Sequence, residues 1–503
     1  MTLKRNLIAG YAGQLYVALI GILMLPLFLT LLGRESYGLI GLFSSLQTVF
    51  LLLDLGLSQT IARETSCFSS GALPAKVFLQ RYRAVLIAFL LIALLGGTLL
   101  FASAGWLANS WLHTEQMAVV EAQYALQVIA AVVAMRWFSG IFRGVISGAE
   151  RLVWLNGFNS LIATFRFVCV FLVFEWFGYT ILVFFWYQLL LSVLEVLLLY
   201  GKSRSLLPAN IAGVGWSLRP LLAIGRFAFG VAGTSVIWVI VTQLDKLLIS
   251  GLVTLADFGL FNLAITVASG LLVVTGPVGA ALMPRLTNLF AEKNNEAFVQ
   301  TYRKASQLVA VVAGSVCFSI MASAEPLLAS WTGDAQLAAD SANVLRWYIL
   351  GNFFLSLNVF PYYLQYACGM TRYHVYGHLL LLLVLVPAML LAVKIAGIQG
   401  AAWCWAAVHA LYFLGWVAYS HHKLLPGIHR RWLVADLLPV LVPAMALALF
   451  WSFWLDVHAS RWLNLLLCCA VGASVMLVSV AGCRWMRDAV LSIWRGDSSR
   501  GLS

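Results

Sequence analysis

Gly10-Tyr-Ala12-Gly13 returns as Gly230-Val-Ala232-Gly233, Phe78-Leu-Gln80-Arg-Tyr82-Arg83 as Phe298-Val-Gln300-Thr-Tyr302-Arg303, and Ser110-Trp111 as Ser330-Trp331. With one residue of drift, Gly38-Leu39 pairs with Gly259-Leu260, and Gly148 and Arg151 pair with Gly369 and Arg372. A shift held near about 220 residues over so many positions marks an internal duplication, and a fixed period decides the architecture first.

Composition says what the copies are made of. The chain has 503 residues, 62% of them hydrophobic and 10% charged, against about 25% charged in a soluble domain. Its mean hydropathy is +0.93. Runs such as Leu86 to Ala104, Ile181 to Tyr200 and Leu379 to Val393 match or nearly match a hydrocarbon core of about 30 Å. Reading the chain through gives about 14 such spans, an all-α polytopic membrane protein.

Six spans fall in each copy, so both copies keep one orientation in the membrane, as in parallel-repeat transporters. The expected organisation is an N-lobe at 1–206, a cytoplasmic linker at 207–218 and a C-lobe at 219–423. Two extra helices follow at 424–484, then a basic tail at 485–503.

The net charge of +12 is sorted by side. With the N-terminus cytoplasmic, only Arg34, Lys394 and Arg461 fall outside, which is the positive-inside pattern and places both termini in the cytoplasm. No long basic soluble segment exists to bind nucleic acid. The first apolar stretch follows Lys4 and Arg5 but lacks an Ala-x-Ala site, so it reads as an uncleaved helix. Eight cysteines without C-x-x-C spacing read as reduced packing residues, with neither disulfide nor metal expected.

Trp111, Trp176, Trp331 and Trp454 sit near expected outer ends, and Trp154, Trp216 and Trp432 near inner ends, as a headgroup belt requires. Pro26, Gly276-Pro277, Pro361 and Pro387 lie inside spans and are expected to bend them. Gly140, Gly144 and Gly148 form a small-residue face suited to close helix packing. His421, His422 and His429 read as a polar loop facing headgroups.

Enzyme motifs fail. Gly201-Lys202-Ser203 mimics the end of a phosphate loop, but Val196 stands where its first glycine belongs. Glu115, Asp257 and Asp334 are isolated in short turns. No cofactor is expected. Charges inside the bilayer are the stronger signal, because each costs about 2.5–3.5 kcal/mol at a helix centre and so faces a polar cavity or a partner. The basic set is Arg136, Arg166, Lys246 and Arg346; the acidic set is Asp54, Glu195 and Asp245. Both lobes contribute cations, so a cavity between them would present positive charge to an anionic ligand. Asp54 and Glu195 lie close enough to the inner surface to pair with Arg63 or Lys202.

The opening carries a family likeness. Gly10-Tyr-Ala-Gly13, Leu25-Pro26-Leu-Phe-Leu-Thr-Leu-Leu-Gly33-Arg-Glu-Ser-Tyr37-Gly38, Asp54-Leu-Gly56-Leu and Ala62-Arg63-Glu64 resemble polysaccharide-exporting flippases of the MOP superfamily, the O-antigen (Wzx) type. Gln243-Leu-Asp245-Lys246 and Pro326-Leu-Leu-Ala-Ser-Trp331-Thr-Gly333 resemble the second-half signatures. The likeness implies a MATE-like fold in a bacterial inner membrane. It also implies transfer of a polyprenyl-pyrophosphate-linked oligosaccharide from the inner to the outer leaflet by alternating access. Arg136, Arg166, Lys246 and Arg346 would bind the substrate, and Asp245, Glu195 or Asp54 would couple an ion. Partners would be the lipid-linked glycan, membrane lipids, a polysaccharide polymerase and glycosyltransferases. Many MATE exporters place a carboxylate in the first span, and residues 6–33 contain none, which weighs against a drug-antiporter reading. Lipid II transport competes within the same class, and a membrane scaffold or polymerase partner competes from outside it.

Overall fold

Runs of Leu, Ile, Val, Ala and Phe close as helices because in lipid every backbone N–H must find its acceptor within its own segment. The computed structural model describes residues 3–54, 56–208, 215, 220–221, 239–370, 372–457 and 460–488. The second copy of the opening repeat, Trp216 and most of the linker and tail lie outside the described residues. Eleven segments among the described residues are long and apolar enough to cross a membrane. One of them, Arg372–Leu424, contains two of the expected spans.

The described chain falls into two compact units, 1–259 and 260–503. This division follows packing, whereas the expected lobes follow the duplication. In the first unit the helices are α1 (Leu3–Leu32), α2 (Arg34–Phe50), α3 (Leu57–Ser69), α4 (Ala75–Trp106), α5 (Val119–Phe138) and α6 (Gly140–Gly148). Then come α7 (Leu152–Thr164), α8 (Val170–Phe177), α9 (Ile181–Arg204), a helical stretch α10 (239–250) and the start of α11 (Leu255–Ala291). α4 packs on α5, α5 on α9, α1 on α7 and α3 on α6. The last pairing uses the glycine face as expected: a Cβ on Gly144 would meet Ser58 and Ile61, and one on Gly148 would meet Ala62 and Thr65.

The second unit holds the rest of α11, then α12 (Asn295–Thr332), α13 (Ala335–Asn358), α14 (Phe360–Ala367) and α15 (Arg372–Tyr412). Next are α16 (Ala418–Leu424), α17 (Ile428–Arg431), α18 (Leu438–Ser452) and α19 (Arg461–Gly482). α15 is a hairpin. Ala396 and Gly397 leave helical geometry, Gly397 with φ 55° and ψ −138°, a region open to glycine alone. Gly400 then lies against Ala392, and Gly377 against Tyr412 and Trp416, so the two arms run antiparallel. The expected boundary between the eleventh and twelfth spans falls at this residue.

The two extra helices pack on α12. Arg303 holds Asp436 through two bonds of 2.5 and 2.6 Å, Gln307 adds a third at 2.7 Å, and Ser315 meets Ser479 at 2.8 Å. Here two expectations are corrected. Trp432 is fully buried and donates to Ser306 Oγ at 2.8 Å, so it is no headgroup anchor. His421 is buried too, bonded to Tyr302 at 2.7 Å and His429 at 3.0 Å; of the three loop histidines only His422 is exposed.

The prolines also split. Pro361 opens α14 after a break at Val359, while helices run on through Pro26, Pro277 and Pro387. The kink in α12 is at Ser323, three residues before Pro326, whose ring crowds the carbonyl four positions earlier.

Candidate functional site

The charged cluster of the first unit is built on two interruptions of helix geometry. α5 ends at Ser139, from which α6 starts at once; Ser139 Oγ donates to the Arg136 carbonyl at 2.6 Å. Arg136 and Arg143 stand two turns apart on either side of this joint, and Arg143 Nε donates to Ser139 Oγ at 3.4 Å.

The second interruption is a π-helical turn, Phe165–Cys169, between α7 and α8. Such single turns carry one extra residue and recur at functional sites. Arg166 lies in it. α9 satisfies the carbonyls the wide turn exposes: Tyr187 Oη donates to Phe165 O at 2.8 Å and Gln188 Nε2 to Arg166 O at 3.4 Å.

These two devices bring two guanidinium groups onto one carboxylate, with a third close by. Arg166 Nη2 donates to Glu195 Oε2 at 2.9 Å, and Arg143 Nη2 donates to Glu195 Oε1. Arg143 Nη1 also donates to Asn159 Oδ1 at 2.5 Å. Arg136 lies 6.0 Å from the Phe43 ring centroid and interacts through space with Arg166, Arg143 and Glu195. The side chains of Glu195 and Arg166 are 3% and 9% exposed, that of Arg143 30%. Three cations against one anion leave a surplus of positive charge, with Arg143 its most accessible member. Such a site can take an anion with several oxygens, which the planar guanidinium fork matches.

The structure thus joins Arg136, Arg166 and Glu195 and adds Arg143 and Asn159, which sequence reasoning missed. The signal for Arg143 was its seven-residue spacing from Arg136. Further expectations are corrected. Glu195 pairs with arginines of α6 and the π-turn, while Lys202 lies over the Trp154 ring. Asp54 accepts from Ser58 N and Oγ at 3.2 and 2.7 Å in the first turn of α3; Arg63 pairs with Glu64.

Lys246 turns back onto its own helix, to Thr242 O at 3.3 Å and Gln243 Oε1 at 3.4 Å, beside a buried Asp245. Arg346 belongs to the second unit, where its Nε donates to Met321 O at 3.2 Å. Neither Lys246 nor Arg346 takes part in the hydrogen bonds or ion pairs of the Glu195 cluster.

A family described as "Polysaccharide biosynthesis protein" matches residues 3–290. A Shigella flexneri protein named "Putative O-antigen transporter" is 19% identical over 414 residues, 81% of this chain and 94% of that one. Among solved structures, the lipid II flippase MurJ in an inward closed conformation is similar at TM-score 0.73 and 13% identity. The match covers 96% of this chain and 99% of that one. An inward-facing multidrug-resistance MATE transporter of the MOP superfamily is similar at TM-score 0.67 and 16% identity, over 82% and 94% of the two chains. Both likenesses are of fold.

Proposed function

The chain belongs to the polysaccharide biosynthesis protein family, and from that premise we propose that it is a flippase for a polyprenyl-pyrophosphate-linked oligosaccharide. It works in the bacterial inner membrane, with both termini cytoplasmic, and carries its substrate from the inner to the outer leaflet by alternating access. Its role is transport, not catalysis. Glycosyltransferases that build the repeat unit and a polymerase that consumes it are the expected partners.

One observation carries the reading: Arg143 and Arg166 both pair with the carboxylate Glu195 within apolar spans, with Arg136 close by. Taking a pyrophosphate out of water is costly unless cations replace its hydration. Arg143 meets the anion first and exchanges Glu195 for phosphate oxygens; Arg166 and Arg136 complete the shell. The sugar passes through the polar interior while the prenyl chain stays in lipid.

The test is the Arg143→Gln, Arg166→Gln double variant in cells lacking the native gene. Loss of surface glycan at a normal protein level, with lipid-linked repeat units accumulating on the inner leaflet, is the expected result. Undiminished glycan display would overturn the assignment.

A further inference from the structure

Among the buried polar atoms of the second unit that have no hydrogen-bond partner are Asn358 Oδ1 on α13, Gln365 Oε1 on α14 and His409 Nε2 on α15. Their residues are 8%, 1% and 0% exposed. Buried groups left unpaired are costly and rare, and each calls for an occupant. All three are acceptors. Asn358 Nδ2 is already used on His409 O at 3.1 Å, and Gln365 Nε2 on Ser420 Oγ at 3.4 Å.

The tautomer of His409 follows from its surroundings. Nδ1 lies 2.9 Å from Trp405 O, a carbonyl that can only accept, so Nδ1 carries the hydrogen and Nε2 presents a lone pair. The ring sits against Trp405, centroids 4.1 Å apart and planes tilted by 45°. Trp405 is held in turn by Asn352 Oδ1 at 3.1 Å and by Tyr348 stacked at 5.0 Å. His409 stands twelve residues beyond Gly397, about 18 Å along the helix and so near the middle of a hydrocarbon core of about 30 Å.

On the other arm of α15, His374 and His378 lie with ring centroids 4.1 Å apart and planes tilted by 55°, nearer the Arg372 end. His378 lies 6.1 Å from Tyr412, about one turn from His409, and interacts with His409 through space. The titratable groups around the His409–Trp405 pair are His378 and Tyr412 within α15 and Tyr348 on α13, which stacks on Trp405. Among the described residues no group of His, Cys, Asp or Glu is suited to a metal ion. A lone imidazole nitrogen, with the Asn358 amide on the His409 carbonyl, suits a proton better.

We infer that His409 Nε2 is a proton-binding site in the membrane interior, reached through His374 and His378 from the end of α15 that carries Arg372. The proton adds to the Nε2 lone pair and gives an imidazolium; no other bond changes. In a flippase this site would couple transport to a proton gradient, a role that rests on the function proposed above.

Imidazolium in contact with indole quenches its emission, so the test uses tryptophan fluorescence of the purified full-length protein, without substrate, between about pH 4 and pH 9. A reversible quench on acidification is expected, abolished by Trp405→Phe and by His409→Gln. In a stopped-flow pH jump, His378→Gln should slow its onset at least tenfold while leaving its amplitude unchanged. A flat titration of the parent protein would overturn the site, as would a quench that survives Trp405→Phe. If His409→Gln does not fold, Trp405→Phe decides. The titration contains no glycan lipid, so the proton site stands or falls apart from the flippase reading.

Discussion

Glu195 holds two guanidinium groups at once, and substitution on either side of that contact has unequal consequences. Glu195→Gln leaves Arg143, Arg166 and Arg136 repelling one another without a counter-ion, and breaking a buried pair in this way costs about 3–5 kcal/mol. Arg166→Gln leaves Glu195 still bonded to Arg143 and Asn159 held by the same fork, so it should cost clearly less. Thermal denaturation of the two purified variants checks the order. That Arg136, Arg166 and Glu195 matter was legible because a charge in an apolar run is rarely idle. Which charge meets which was not: Arg143 and Glu195 are 52 positions apart, and only packing of α6 on α9 joins them. His409 was passed over for a related reason, since a histidine among alanines and aromatics gives no sign of which nitrogen is satisfied.

The π-turn at Phe165–Cys169 is one residue longer than an α-turn would be, and that residue sets the direction of Arg166. Deleting Val168 should restore ordinary helix, rotating the segment by about 100° and separating Arg166 from Glu195. Surface glycan should then fall as far as in Arg166→Gln at equal protein level. The α3–α6 contact is the opposite case, a regular feature readable from glycine spacing alone. Gly148→Val would press two methyl groups toward Ala62 and Thr65; overpacking of this kind costs about 1–3 kcal/mol, read as a lower melting temperature. Proline was a poorer guide than glycine. Neighbouring helices tolerated Pro26, Pro277 and Pro387, and the breaks came at Pro361 and near Pro326.

Across the molecule, the duplication and the apolar runs made the helical architecture legible, because lipid leaves the backbone few alternatives. The fastening of the last two helices was not, since Arg303 and Asp436 look like ordinary loop-side charges in sequence. Their exposures are unequal, 21% for Arg303 and 2% for Asp436. Arg303→Ala therefore leaves a buried carboxylate with only the Gln307 amide and no counter-ion, whereas Asp436→Ala leaves a guanidinium able to reach water. The first variant should lose more stability than the second, and limited proteolysis between α17 and α19 should rise in the same order.

α15 reverses at one glycine, and that has a bearing on biogenesis. Its arms have no exportable segment between them, so they must leave the insertion channel together, as a single hairpin. A reporter tag spliced at residue 397 would therefore disturb assembly before it could reveal which side of the membrane it faces.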